Sequence, residues 1–277
     1  TLILDKYKDK VTGYILYEKE KPHTLNLATS MGGIHNAIPV EKDLEHLAKS
    51  NGLKKVDDLT GRFENIYHCY KWGIENVLPK CNKKLVAQLC VHHPAWPSST
   101  FANRDYVIAN KMFCFDLSTS ERDKKEFYLV KEIYKQLEEE TLVVGWHCVR
   151  DKEHEAIALS SEFGHYGLCS LRTPNLTVHS SIRLEPGKKF KQRPPAKKKK
   201  VENKVYVAFM ATDGDAAWFM LNHIHKDWAS PAHGNFKYNW GFLPLAYDLM
   251  PGTVQYYIEN ATPNDYFAAG PAGATYT

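Results

Sequence analysis

Apolar and polar positions alternate along most of this chain in blocks that change period. Val11 to Tyr17 and Thr24 to Thr29 have the short alternating look of strands, and Gly32 and Gly33 suggest a turn into another. Asp43 to Lys49 predicts a short helix stopped at Gly52, Leu53 to Leu59 a strand, and the stretch from Arg62, with Phe63, Ile66, Tyr67, Tyr70, Ile74 and Val77, a helix. From Lys84 the alternation becomes regular. A strand ending at His92 and His93 is followed by a helix over 101–111 and a strand ending at Asp116. Next come a helix within 121–140, a strand ending at Trp146 and His147, a helix stopped by Gly164, and a strand ending at Ser170.

Beyond these blocks, Val205, Val207 and Phe209 alternate with Tyr206, Ala208 and Met210, which reads as a strand buried on both faces. It runs into the turn Asp213, Gly214, Asp215, and then into a helix carrying Ala217, Phe219, Met220, Leu221 and Ile224. Strand and helix in turn predict an α/β fold of mostly parallel strands. The polar strand ends favour a (β/α) barrel-like arrangement, because a barrel would gather them around one mouth.

With 277 residues, 43% of them hydrophobic, the chain can build a sizeable core. No apolar run is long enough for a membrane span, and no leader peptide is visible. Of 36 basic residues, eight lie between Gly187 and Lys200, leaving 28 against 32 acidic ones elsewhere. That segment reads as a Pro/Lys-rich linker, dividing the chain into 1–186, 187–202 and 203–277. It is a patch for polyanions in one reading and a solvated connector in the other; without interleaved aromatics the connector is preferred and nucleic acid is not the expected partner. The six cysteines show no CxxC pair and no zinc spacing, so buried thiols or one or two disulfides are open, and no metal or cofactor is expected. Asn175 and Asn260 stand in glycosylation acceptor triplets, of consequence for a secreted eukaryotic protein.

Carboxylates, histidines and tryptophans around a mouth would suit glycoside cleavage. One acid protonates the leaving oxygen, a second attacks the sugar or activates water, and aromatic faces carry the ring. The candidate acids are Asp213, Asp215, Glu155 and Asp116. The candidate sugar contacts are Trp146, His147, His92, Trp218 and Trp240. Each has a plainer role to weigh against this one: Asp213, Asp215 and Asp116 as turn or cap residues, Glu155 as a first-turn helix acid, the tryptophans as core. His92 and His93 would point to opposite sides of a strand, and His223 and His225 cannot share a helix face.

Several segments together resemble the GxGYxYP family: VTGYILY, TLNLATSMGGIHNAIPV, RDYVIANKMFCFDL, the run from Val144 to Ser181, MATDGDAAW, and the stretch from Trp240 to Tyr276. The resemblance covers nearly the whole chain and implies a glycoside hydrolase acting on or binding carbohydrate, with Tyr276 belonging to the signature. Two departures stand out. Ala216 occupies a position where relatives often carry asparagine after Asp-Gly-Asp, and Thr275 stands where the signature has glycine, with the chain ending before Tyr-Pro. The resemblance leaves a non-catalytic carbohydrate-binding or structural surface protein as the alternative. An edge left open at the C-terminus would be covered by a second copy. A secreted or cell-surface location accompanies both readings.

Overall fold

The computed structural model describes residues 2–91, 101–184, 192, 200–211, 216–270 and 275. They fall into two compact units that meet at Pro174 and Asn175.

The first unit is a run of strand and helix: α1 (Leu2–Tyr7), β1 (Gly13–Tyr17), α2 (Pro22–His35), β2 (Ala37–Glu41), α3 (Glu45–Ser50), β3 (Lys54–Asp58), α4 (Ile66–Asn76), β4 (Leu85–Gln88), α5 (Arg104–Ala109), β5 (Phe113–Phe115), α6 (Lys124–Tyr134), β6 (Leu142–Gly145), α7 (Glu153–Glu162) and β7 (Tyr166–Cys169). The strands make two parallel sheets, ordered β2-β1-β3 and β5-β4-β6-β7. One apolar cluster joins residues from both, including Ile15, Leu27, Tyr70, Val86, Phe113 and Ile133.

The second unit contains α8 (Leu176–Ser181), α9 (Ala217–Trp228), β8 (Tyr238–Phe242), α10 (Ala246–Leu249), α11 (Pro251–Glu259) and β9 (Asp265–Ala269). Its two strands are parallel.

The expectation of an α/β chain with parallel strands holds. Closure into a barrel is not seen: the described strands are divided among three small sheets.

Two local expectations are corrected. Thr24 to Thr29 is not a strand but the heart of α2, and Gly32 and Gly33 are its last turns rather than a loop. Every residue from Thr24 to Gly33 is buried, so the helix shows no polar stripe and no 3.6-residue period. Pro22 opens it where a missing N–H costs nothing, and Asn36 ends it in the left-handed region at φ 53°. Gly32 and Gly33 are needed for close approach, since a Cβ on either would lie 2.7 Å from the carbonyl oxygen of Ala37 or Ile108.

The run from Lys204 to Met210 is not a buried strand. Val205 is 88% exposed and Val207 72%, with Tyr206, Phe209 and Met210 also exposed. Only its end meets the sheet: Met210 bridges Asn239 in parallel, the Asn239 N–H donates to Phe209 O, and the Ala211 N–H donates to Asn239 O. Alternation supplies the shape of a strand. Burial needs partners on each side, and the described residues provide one short contact.

Candidate functional site at the strand ends of the first unit

The four-stranded sheet reverses direction at β4. The chain crosses from β4 to β5 on one side, and then returns to β6 on the other. In open parallel sheets this switch point, at the carboxyl ends of the strands, is where ligands bind. Three loops lead away from it, after β4, β5 and β6.

Asp116 follows β5 directly. Its N–H donates to the Tyr70 hydroxyl at 2.9 Å, and its Oδ2 accepts the Val91 N–H at 3.2 Å. Its Oδ1 is shut off from solvent and has no hydrogen-bond partner among the described residues. Burial raises the carboxyl from its usual 3.8 to about 6, against the opposing pull of the Val91 N–H, the Cys148 thiol and Arg150. Tyr70 is held in turn by Asn26 on α2, whose amide donates to the Tyr70 hydroxyl at 3.2 Å and to Leu89 O at 3.0 Å.

The loops after β5 and β6 are laced together. Buried Asp151 accepts from the Ser118 hydroxyl (2.5 Å), the Thr119 N–H (2.6 Å) and the Thr119 hydroxyl (2.8 Å). Glu126 accepts the Ser118 N–H at 2.7 Å and a guanidinium N–H of Arg150 at 2.5 Å, and Arg150 also donates to Asp123 at 3.1 Å and to the Cys148 sulfur at 3.4 Å. These charge-assisted bonds tie the loops after β5 and β6 to each other.

Glu155 sits in the first turn of α7. It accepts the Lys152 N–H (2.8 Å), the Ser120 hydroxyl (2.9 Å) and Arg122 (3.0 Å). The Lys152 N–H, then the Ser120 hydroxyl and Arg122, outweigh partial desolvation and hold its carboxyl below the ordinary range. It is an ionised helix cap that ties α7 to the loop after β5.

Trp146 and His147 follow β6. The Trp146 N–H donates to Gln88 O at 2.9 Å, and the rings of Trp146 and His147 lie 5.3 Å apart. Both border a water-sized cavity of about 20 Å³ with Gln88, Tyr134 and Ile157. Gly145 makes this approach possible: its φ is +119°, and a Cβ there would stand 2.0 Å from Gln88 O. Across β4 the strand ends of β5 and β6 are about two strand spacings, or roughly 10 Å, apart.

The structure thus brings Asp116, Trp146, His147 and Ser170 to one sheet edge, with Glu155 tied in behind. Trp218, on α9, and Trp240, within β8, belong to the second unit, and Trp240 is buried. Asp213, Asp215, His92, His93 and Tyr276 lie outside the described residues, as does most of the basic segment 187–202. Sequence reasoning missed Tyr70, Arg150 and Asp151. Arg-Asp at 150–151 is a visible acid-base pair, but its partners lie some 24 to 33 residues upstream. Among the described residues no cluster of three or more His, Cys, Asp or Glu is arranged for a metal ion, and no helix is long and apolar enough to cross a membrane.

Three family domains match the sequence: the GxGYxYP_N second domain over residues 11–81, the GxGYxYP third domain over 87–181, and the "GxGYxYP putative glycoside hydrolase C-terminal domain" over 203–277. The chain belongs to the GxGYxYP family. A crystal structure described as "a putative hydrolase from Bacteroides thetaiotaomicron VPI-5482" superposes with a TM-score of 0.83 at 28% identity. The match covers 99% of this chain and 51% of that one. This GxGYxYP chain therefore spans about half the length of that relative. No curated protein matches the sequence.

Proposed function

We propose that this chain acts on carbohydrate as a glycoside hydrolase, with Asp116 as its general acid. The observation that carries the reading is the Asp116 carboxyl at the carboxyl end of β5, next to the switch point: desolvated, raised to about 6 by burial, and with Oδ1 unpartnered among the described residues. A carboxyl that keeps its proton close to neutrality can give it to a glycosidic oxygen, which an ordinary aspartic acid cannot do. Such cleavage needs a second, ionised carboxylate. Asp213 and Asp215 are assigned that role here on family resemblance. Glu155, ionised and fully hydrogen-bonded, is assigned to holding the loop, and Trp146 and His147 to contacting a sugar at the same edge.

The test is a glycan panel scored for binding and for reducing-end release. The unmodified chain, Asp116→Asn, and the double variant Asp213→Asn, Asp215→Asn are compared, with folding checked by circular dichroism. Release by the unmodified chain, lost by a hundredfold or more in Asp116→Asn with binding kept, is expected. Release undiminished by Asp116→Asn removes it from the acid role.

A second reading, a binding or structural protein that assembles with its own copies, is favoured by one observation: the exposed Val205, Val207 and Phe209 beside the β8 edge. Binding without release from any form, together with self-association in sedimentation, would select it.

A further inference from the structure

The second unit contains a cavity that a search along strand carboxyl ends does not reach. It has a volume of about 180 Å³ and lies at the opposite edge of the small sheet, where Tyr238 begins β8 and Asp265 begins β9. We propose that this cavity is a binding subsite for a single neutral sugar ring, held by His233, Asp227 and Tyr238 against the half-exposed Phe236 ring, with the buried Trp240 in the lining.

The site is braced from behind. Asp265, with a side chain fully excluded from solvent, accepts the Trp240 indole N–H at 2.8 Å, the Thr262 N–H at 2.7 Å and His233 Nε2 at 2.9 Å. Burial pushes its carboxyl up, but the bonds from Trp240, Thr262 and His233 more than offset this and keep it below the usual range. The Asp265 carboxylate engages Nε2 and leaves Nδ1 as the ring nitrogen it does not hold. The ring is also fixed by its neighbours, with its centroid 4.2 Å from that of Trp228 and 5.8 Å from that of Trp240 at 80°. The turn that carries His233 is pinned by Asn264, which donates to Gly234 O at 2.8 Å. Gly234 has φ +82° and lies against Thr262.

Three polar groups around this cavity have no hydrogen-bond partner among the described residues: His233 Nδ1, the Asp227 carboxylate and the Tyr238 hydroxyl. A carboxylate, a ring nitrogen and a hydroxyl beside aromatic rings match the alternating hydroxyls and C–H faces of a pyranose. Asp265 is already satisfied by three N–H groups, so Asp227 is the carboxylate of the lining left to a ligand; it can accept from a sugar hydroxyl or pair with a cation, and a tetramethylammonium titration separates the two. The volume is below the roughly 300–1,000 Å³ of pockets for larger ligands, which limits the occupant to one ring. The choice of sugar rests on the carbohydrate reading proposed above.

The experiment is an NMR titration of the full chain with a panel of methyl glycosides of common hexoses, pentoses and N-acetylhexosamines, with tetramethylammonium run in parallel. At least one glycoside is expected to shift the Trp240 indole N–H and the His233 ring saturably. Asp227→Asn, at an exposed rim position, should weaken that glycoside about tenfold while leaving the remaining spectrum unchanged. The proposal is overturned by the absence of a saturable shift at both residues across the panel, by saturation with tetramethylammonium alone, or by unchanged affinity in Asp227→Asn. Turnover in the glycan screen without these shifts would sink the subsite and leave the hydrolase reading standing. Shifts without turnover would do the reverse.

Discussion

Replacing Asp116 by asparagine gives a variant whose effect on stability should change with pH in a calculable way. The native carboxyl titrates near 6 and an unfolded aspartic acid near 3.8, so between these values the folded chain holds a proton that the unfolded chain has released. Stability therefore falls as pH rises through that window, by about 3 kcal/mol at most for a shift of about two pKa units. His23 works in the opposite direction. Burial, helped by Lys21 and opposed by Glu18, lowers its imidazole from 6.5 to about 4. The unfolded chain then binds the extra proton, and stability rises with pH over much the same range. Because His23 and the lowered carboxyls of Glu45, Asp58, Glu155 and Asp265 also titrate on the acid side, the difference between chains, and not the profile of either, isolates Asp116. Urea unfolding of both, followed by circular dichroism from pH 4 to pH 7, should show Asp116→Asn gaining about 3 kcal/mol relative to the unmodified chain across the window. A constant penalty for the new amide drops out of that comparison. A difference that stays flat to within about 0.5 kcal/mol would refute a buried, proton-holding Asp116 and with it the assignment of general acid.

Two further outcomes follow from local geometry. Gly145→Ala places a Cβ 2.0 Å from Gln88 O at a φ of +119°, and should destabilise the first unit by at least about 3 kcal/mol in thermal or urea unfolding; a loss under about 1 kcal/mol would mean that β4 and β6 do not approach as described. All six cysteines are free, five of them buried, and burial raises the thiols of Cys69, Cys81, Cys90, Cys114 and Cys148 to about 12. Thiol titration at pH 8 should find Cys169 alone reacting rapidly in the native chain and six thiols after unfolding, whereas fewer than six in denaturant would reveal a disulfide.

Most strands of the first unit were legible as short apolar runs closed by a turn signal, as at Val86 to Gln88 or Phe113 to Phe115, with the polar β3 (KKVDD) legible only from its flanking leucines, and Asp116 was legible as a strand-end acid. Helix α2 was not, because a helix buried on every side loses the polar stripe by which sequence announces a helix. The run at Val205 to Phe209 misled for the converse reason: alternation is local, while burial depends on what is brought alongside. Glu155 had both roles open in sequence, and only its bonds to Ser120, Arg122 and the Lys152 N–H show it engaged as a cap. His233 and Asp265 lie 32 residues apart, one in the turn before β8 and the other at the amino end of β9, so neither spacing nor the strand-end rule could pair them.

Helix α2 also bears on how the first unit comes together. The Ser30 hydroxyl accepts the Cys114 N–H at 2.8 Å, Asn26 reaches Leu89 O, and the Thr29 hydroxyl accepts from Arg104 at 2.9 Å. Each partner lies 63 to 84 residues further along the chain. Thr29 and Ser30 also donate to Leu25 O and Asn26 O within the helix, and Asn26 donates to Tyr70, but until β4, α5 and β5 have formed these groups lack the longer-range partners and their remaining capacity has to stay wet. The first sheet therefore cannot dry its own central helix. Although separate family domains match 11–81 and 87–181, the two segments share one apolar cluster and, up to Pro174, one compact unit, so they are expected to unfold together.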